Sequence, residues 1–209
     1  VFVAVFSNCP GKQPSPEFVG QWIAGLLCGK DVKERTAIKL DPEKMDEIVG
    51  VYRINKAETR TITREGDQLY SLRTGGTRLK IYPESEDLFF YENSFSYFIV
   101  SLDKKGKVIK MVMHGTGTSA EAIKTGEKPV QRKTIKLDKA IFDTYAGEYK
   151  NDKGMSITLK REKDRFMAIA AGEPPFEIFP ESETRFFIKV MDAQIEINKD
   201  VRGKVTGIT

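Results

Sequence analysis

The pentapeptide YPESE occupies positions 82–86, and FPESE occupies positions 179–183. The two lie 97 residues apart, and the same offset recurs along the chain. It links Gly50 to Gly147, Tyr52 to Tyr149 and Arg64-Glu65 to Arg161-Glu162. It also links Phe89-Phe90 to Phe186-Phe187, and Gly106-Lys107-Val108 to Gly203-Lys204-Val205. Arg35 matches Arg132, and IKLD at 38–41 matches IKLD at 135–138. Residues 35–112 align on 132–209 without a gap, with about 25 of 78 positions identical. Such a pattern predicts a tandem duplication of one domain of roughly 95 residues, a size that folds alone.

Each copy opens with a short helix. Asp41 is placed as an N-cap with Pro42 in the first turn, and Asp138 takes the same part in the second copy. Gly50 and Gly147 end these helices. Short runs with strand character follow, among them TRTITRE, QLYSLRT, SYFIVSL and KVIKMVM, then MSITLKRE, RFMAIAA, RFFIKV and AQIEIN. Turn residues separate them, including Glu65-Gly66-Asp67, Gly75-Gly76, Lys105-Gly106 and Arg202-Gly203. The expected fold class is mainly β, with two tandem antiparallel lipocalin-like small barrels that hide their strand edges by closure. Expected inward residues are Leu79, Phe89, Phe90, Phe98 and Val100 in copy one. In copy two they are Phe166, Phe176, Ile178, Phe186, Phe187, Ile195 and Ile197. The segment 115–136 reads as a Gly/Thr/Ser loop followed by PVQRKTI, whose strand character is expected to close barrel one. Copy two stops at the partner of Val112, so its last strand is expected to be short or unpaired.

Residues 1–30 have another character. VFVAVFSN reads as a buried apolar strand. Ser15 as N-cap and Pro16 at the first position then start a helix. Its apolar stripe comprises Phe18, Val19, Trp22, Ile23, Leu26 and Leu27, and Gly29 stops it. The expected domains are 1–30 as the remnant of an upstream domain, 31–131 as the first barrel and 132–209 as a second, C-terminally truncated barrel. With no initiator Met, the chain is expected to begin inside a longer polypeptide. The first thirty residues should dock on a barrel, pair with another copy or be poorly ordered.

An apolar strand ending in Ser-Asn, a Pro-containing loop and an amphipathic helix resemble the C-terminal end of serine β-lactamase and penicillin-binding-protein-like hydrolases. The two repeats resemble the small barrel that often follows such a catalytic domain. That second likeness rests on the helix-Gly-x-Tyr opening, the [YF]PESExxFF stretch and the Gly-Lys-Val hairpin. The resemblance implies a parent serine hydrolase acting on peptides, esters or amide-containing cell-wall fragments, exported or periplasmic. It makes the upstream catalytic domain of the same polypeptide the principal partner.

That family uses a Ser-x-x-Lys nucleophile at a helix start, a Tyr-x-Asn motif and a Lys-Thr-Gly or His-x-Gly strand. The Lys activates the Ser only if both share one helical face. Matching strings occur at Ser101–Lys104, Tyr91–Asn93 and Lys124–Gly126. The first falls at a strand-to-turn junction, the second at a strand end and the third in the linker. Their order along the chain also differs from the family's. His114-Gly115-Thr116-Gly117 sits at a barrel strand end, outside any catalytic domain. No catalytic, cofactor-binding or metal-binding residue is therefore assigned. The only cysteines, Cys9 and Cys28, and the lone His114 exclude the usual zinc clusters. The two cysteines either pair or remain free thiols. Glu84, Glu86, Glu181 and Glu183 lack the ligand loop of a calcium site.

Net charge is +4 on 34 basic and 30 acidic residues with the signs interspersed, so no nucleic-acid partner is expected. No apolar run is long enough to span a bilayer. The function expected is that of non-catalytic accessory domains that shape substrate access or assembly, with self-association possible. The alternative is a barrel that binds a small apolar ligand.

Overall fold

The computed structural model describes residues 1–8, 14–29, 32, 34–115, 117–152 and 154–209. The fold is mainly β, with one closed eight-stranded antiparallel barrel and one nearly closed seven-stranded sheet. The chain divides into two compact units. One comprises Val1–Thr74 with Leu79–Pro129, and the other Gly75–Arg78 with Val130–Thr209.

In the first unit, helix α1 spans Pro16–Leu27. The Ser15 hydroxyl accepts a hydrogen bond from the Phe18 backbone N–H at 3.2 Å, satisfying one of the donors that a helix start leaves free. Residues 1–8 do not form the expected strand. A strand requires a hydrogen-bonded neighbouring strand, and no ladder among the described residues includes this segment. Val3 and Val5 half-bury while Val1, Phe2 and Phe6 stay exposed. Val5 lies against α1 where Gly20 leaves room for its methyl.

Helix α2 spans Pro42–Ile48 and leads into the barrel. Its strands are β1 (Gly50–Arg53), β2 (Thr59–Glu65), β3 (Gln68–Arg73), β4 (Arg78–Pro83), β5 (Leu88–Tyr91), β6 (Tyr97–Leu102), β7 (Val108–Gly115) and β8 (Thr118–Lys124). Each neighbours the next, and β1 pairs with β8 through Tyr52↔Lys124 and Arg53↔Ile123 to close the ring. The closing strand is therefore TSAEAIK, not PVQRKTI, whose residues 129–135 form no ladder. β7 and β8 are joined by a tight hairpin with Gly115 opposite Thr118 and Gly117 at φ 73°. This strand hides from pattern reading because Ala122 is its one fully buried residue.

The barrel is filled. Tyr52, Ile62, Leu69, Ile81, Phe89, Phe98 and Met111 are all at most 1% exposed, and Met45 and Ile48 of α2 cover one end. Two expected inward residues are placed elsewhere. Leu79 is 46% exposed, and Phe90 turns to the outer face against Tyr82, with ring centroids 5.7 Å apart. The reason is the two-residue period of a strand, which lets only one member of the Phe89-Phe90 pair face inward.

The second unit repeats this plan. Helix α3 (Lys139–Asp143) precedes β9 (Gly147–Lys150), β10 (Ser156–Glu162), β11 (Arg165–Ala170), β12 (Phe176–Pro180), β13 (Arg185–Ile188), β14 (Gln194–Lys199) and β15 (Val205–Ile208). The strands pair in sequence order, leaving β9 and β15 as edges. β15 is four residues long and pairs with β14. Asp138 caps α3 by accepting from the Ala140 N–H at 2.9 Å, a bond that Asp41 does not make to α2. Phe142 stacks on Phe166 at 4.1 Å and meets Phe186 edge-on at 5.6 Å, so aromatic rings occupy the interior. Ile178, Ile195 and Ile197 face it as expected, and Phe176 packs at its margin. Phe187 points outward onto Phe179, as Phe90 does onto Tyr82.

Truncating the inward ring, Phe98→Ala or Phe186→Ala, should lower unfolding free energy by ~3–5 kcal/mol. Leu79→Ala should change it by about 0.5 kcal/mol or less. Urea titration followed by circular dichroism distinguishes the two classes.

Candidate functional site

The two Pro-Glu-Ser-Glu stretches explain themselves once folded. Each turns the chain between two strands. The Glu84 N–H donates to the Leu88 carbonyl at 2.8 Å, and the Glu181 N–H to the Arg185 carbonyl at the same distance. Ser85 and Ser182 accept from the N–H of Leu88 and Arg185. Arg35 pairs with Glu84, and Arg132 with Glu181 at 2.8 Å. The first glutamate of each motif thus holds the segment entering its own barrel. A second recurrent bond is bidentate. Arg64 reaches Asp46 at 2.7 and 2.9 Å, and Arg161 reaches Asp143 at 2.7 Å twice. Both clamp a pre-barrel helix to the β hairpin beneath it. Among the described residues, no three His, Cys, Asp or Glu side chains are grouped to hold a metal.

The three family-like strings fall on separate elements. Ser101 is the penultimate residue of β6, facing Lys110 in register, and Lys104 lies in the following turn. Tyr91 ends β5 with a buried side chain, and Asn93 follows at φ 51°. Lys124 ends β8. Its ammonium donates to the Glu47 carbonyl at 2.5 Å and sits 5.6 Å from the centre of the Tyr52 ring. Burial, then the charge of Lys107, pushes its pKa down, and Glu47 partly opposes them. His114 stacks on Tyr97 at 4.7 Å. Ser101 and Lys104 thus lie on a strand and in a turn, not on the shared helical face that the Ser-x-x-Lys chemistry uses. Cys28 is exposed with a free thiol, whereas Cys9 lies outside the described residues.

Two features stand out that pattern reading did not single out. The first is a polar cluster inside barrel one. Arg60 Nη1 donates to Ser71 Oγ at 2.8 Å and to the Tyr91 hydroxyl at 2.7 Å. The two hydroxyls are 3.2 Å apart. Ser71 is fully buried, Tyr91 is 8% exposed and Arg60 is half-buried. Inward alternation puts all three on the barrel side of β2, β3 and β5, since Ile62, Leu69 and Phe89 flank them there. The positions 97 residues later are Ile157, Ala168 and Ile188, all packed in the core of the second unit. Comparing inward positions between the copies is the signal that would have found this cluster.

The second feature is an aromatic seat on the outside of barrel one. Phe18 and Trp22 of α1 meet Phe95 in the β5–β6 connection, at centroid distances of 4.8 and 6.2 Å. A cleft of about 310 Å³ opens beside them, with Arg35, Tyr82 and Asn93 on its wall. The residue 97 positions after Phe95 is Asp192.

Two measurements follow from this geometry. Trp22 is the chain's single tryptophan, so its emission reports α1 alone. Phe95→Ala should shift that emission to the red while leaving the far-ultraviolet β signal unchanged. The second concerns acid. The Asp103 carboxyl is held below its ordinary value by the backbone N–H groups of Lys107 and Lys105, and that of Asp143 by hydrogen bonding to Arg161. Hydrogen bonds from Arg73 and then Asn55 do the same for Glu58. Depressed carboxylates stabilise the fold above their unfolded pKa, and the contribution is lost as pH falls through the folded value. Thermal midpoints should therefore hold above the ordinary carboxylate range and drop on acidification below it. Arg161→Gln should shrink the drop.

A family described as a domain of unknown function (DUF3471) matches residues 131–209. "Penicillin-binding protein 4*" of Bacillus subtilis (strain 168) is 34% identical over 70 residues. That stretch is 34% of this chain and 16% of that protein. Over about a third of its length, then, the chain is homologous to one region of a penicillin-binding protein.

Proposed function

We propose that residues 31–131 and 132–209 are two copies of one non-catalytic accessory domain in a penicillin-binding-protein-like serine hydrolase. Residues 1–30 are then the tail of its catalytic domain. The reading is carried by one observation. The chain is homologous to a region of a penicillin-binding protein, while each residue that mimics the catalytic motifs is fixed on a different barrel strand or turn. Lys124 binds a backbone carbonyl, Tyr91 is committed to Arg60 and Ser71, and Ser101 sits on a strand. The role so assigned is to shape access to the parent's active site or to hold its assembly, with α1 as the physical link to barrel one. Location outside the cytoplasm follows from the same reading. The filled interiors favour this role over storage of an apolar ligand, because Phe89 and Phe98 in one barrel and Phe142 and Phe166 in the other occupy the space such a ligand needs.

The test is acylation. A fluorescent penicillin or a phosphonate serine probe should leave this chain unlabelled, whereas a longer polypeptide carrying the upstream domain should label on that domain. Covalent labelling of this chain that disappears in Ser101→Ala would overturn the reading.

A further inference from the structure

The polar cluster of barrel one has no anionic member: its two hydroxyl oxygens accept from Arg60, and donors are left over. Arg60 uses one nitrogen, Nη1, for both of its hydrogen bonds, and its Nε is buried without an acceptor. Ser71 and Tyr91 share one hydrogen between their oxygens, which leaves the second hydroxyl hydrogen with no recorded acceptor. Among the described residues, no carboxylate forms an ion pair with Arg60. A half-buried guanidinium with no counter-charge is destabilising, and the buried, unpaired Nε–H adds to that cost. The fold itself does not require the arrangement. The second unit builds the same strands with Ile157, Ala168 and Ile188 at the three positions, each part of an apolar core. The strand ladders place the three polar residues toward the end away from α2, where Ile54 and Met113 also pack on the core, and Arg60 keeps contact with solvent.

We propose that Arg60, Ser71 and Tyr91, toward the end of barrel one away from α2, form an oxyanion site that binds a ligand through its carboxylate. The chemistry selects the class. The missing partner must bring acceptors only, carry negative charge and be flat enough to meet a guanidinium edge, which a carboxylate does. The hydroxyls serve the guanidinium twice. They hold its plane through Nη1, and the spare hydroxyl hydrogen turns toward the bound oxygen. Copy two, with three apolar residues at these positions, has no such site.

Acetate is the probe, titrated against chloride at constant ionic strength and neutral pH. The arginine Nε–H resonance of Arg60, sheltered from water, is the readout. In the wild-type chain this resonance should move saturably. Arg60→Ile, Ser71→Ala and Tyr91→Ile together install the second unit's residues. That triple variant should fold, be at least as stable as wild type without acetate, and gain no stability when acetate is added. Tyr91→Phe removes a single donor and should weaken acetate binding about tenfold. This single change keeps the test open should the triple variant fail to fold. Absence of a saturable shift in wild type, or an unchanged affinity in Tyr91→Phe, would overturn the proposal. So would a folded triple variant that is markedly less stable than wild type in the absence of acetate, because the cluster would then be structural.

Discussion

In each unit a tyrosine hydroxyl donates to a carbonyl at the end of the preceding helix or just past it. Tyr52 reaches the Ile48 carbonyl at 2.6 Å, and Tyr149 reaches the Tyr145 carbonyl at 2.7 Å. The last carbonyls of a helix have no partner inside it, and burying one unpaired is costly. The tyrosine answers that need from the first strand, so helix and strand meet in a single geometry. Burial pushes the pKa of both phenols up, so they remain neutral donors. With the helix fixed, its apolar side chains close one end of the sheet, and the aromatic rings beneath them are sealed from water. Short strands are then stable because their interior is full and not because each pair is strong.

The legible parts of the sequence were those written twice. Asp138 caps its helix because an aspartate before a helix has one cheap acceptor role, and the hairpin turns follow from Gly66 and Gly106. The 97-residue offset pairs Glu84 with Glu181 and Arg35 with Arg132, and each Arg–Glu pair forms in its own unit. β8 was not legible. Its outward positions mix Ser119, Glu121 and the exposed Ile123, Glu121 is held by Lys110 at 2.6 Å, and its pairing is dictated by β7 and β1 and not by its own composition. Phe90 and Phe187 show the converse failure, since hydrophobicity does not tell which face of a strand a side chain takes. The first eight residues read as a strand because their composition is right, but composition supplies no partner. The polar cluster escaped notice because its members are 11 and 20 residues apart along the chain. Only the folded register brings them together.

Where the two units differ is as instructive as where they agree. The framework pairs are kept: Arg with the first glutamate of the turn, Asp with the hairpin arginine, Tyr with the helix end. Among the many differences, a polar-to-apolar change at interior positions marks those held by Arg60, Ser71 and Tyr91, and the β5–β6 connection carries Phe95 where the second unit has Asp192. Both are in the unit that bears α1. Barrel one therefore combines the framework with a polar interior cluster and an outer aromatic seat, while the second unit keeps the framework with an apolar interior.

The β2–β3 and β10–β11 turns solve one problem in opposite ways. Both require a left-handed residue, Gly66 at φ 57° and Lys163 at φ 57°. In each, the framework arginine binds the carbonyl of that residue, at 2.8 Å from Arg64 and 3.0 Å from Arg161. Glycine enters the turn without steric strain but leaves the unfolded chain freer, so it acts through the denatured ensemble. Lysine narrows that ensemble and instead carries strain into the folded state. The same turn is thus opposed mainly by chain entropy in one unit and by local enthalpy in the other, so their hairpins should respond differently to temperature even though their hydrogen bonds are the same.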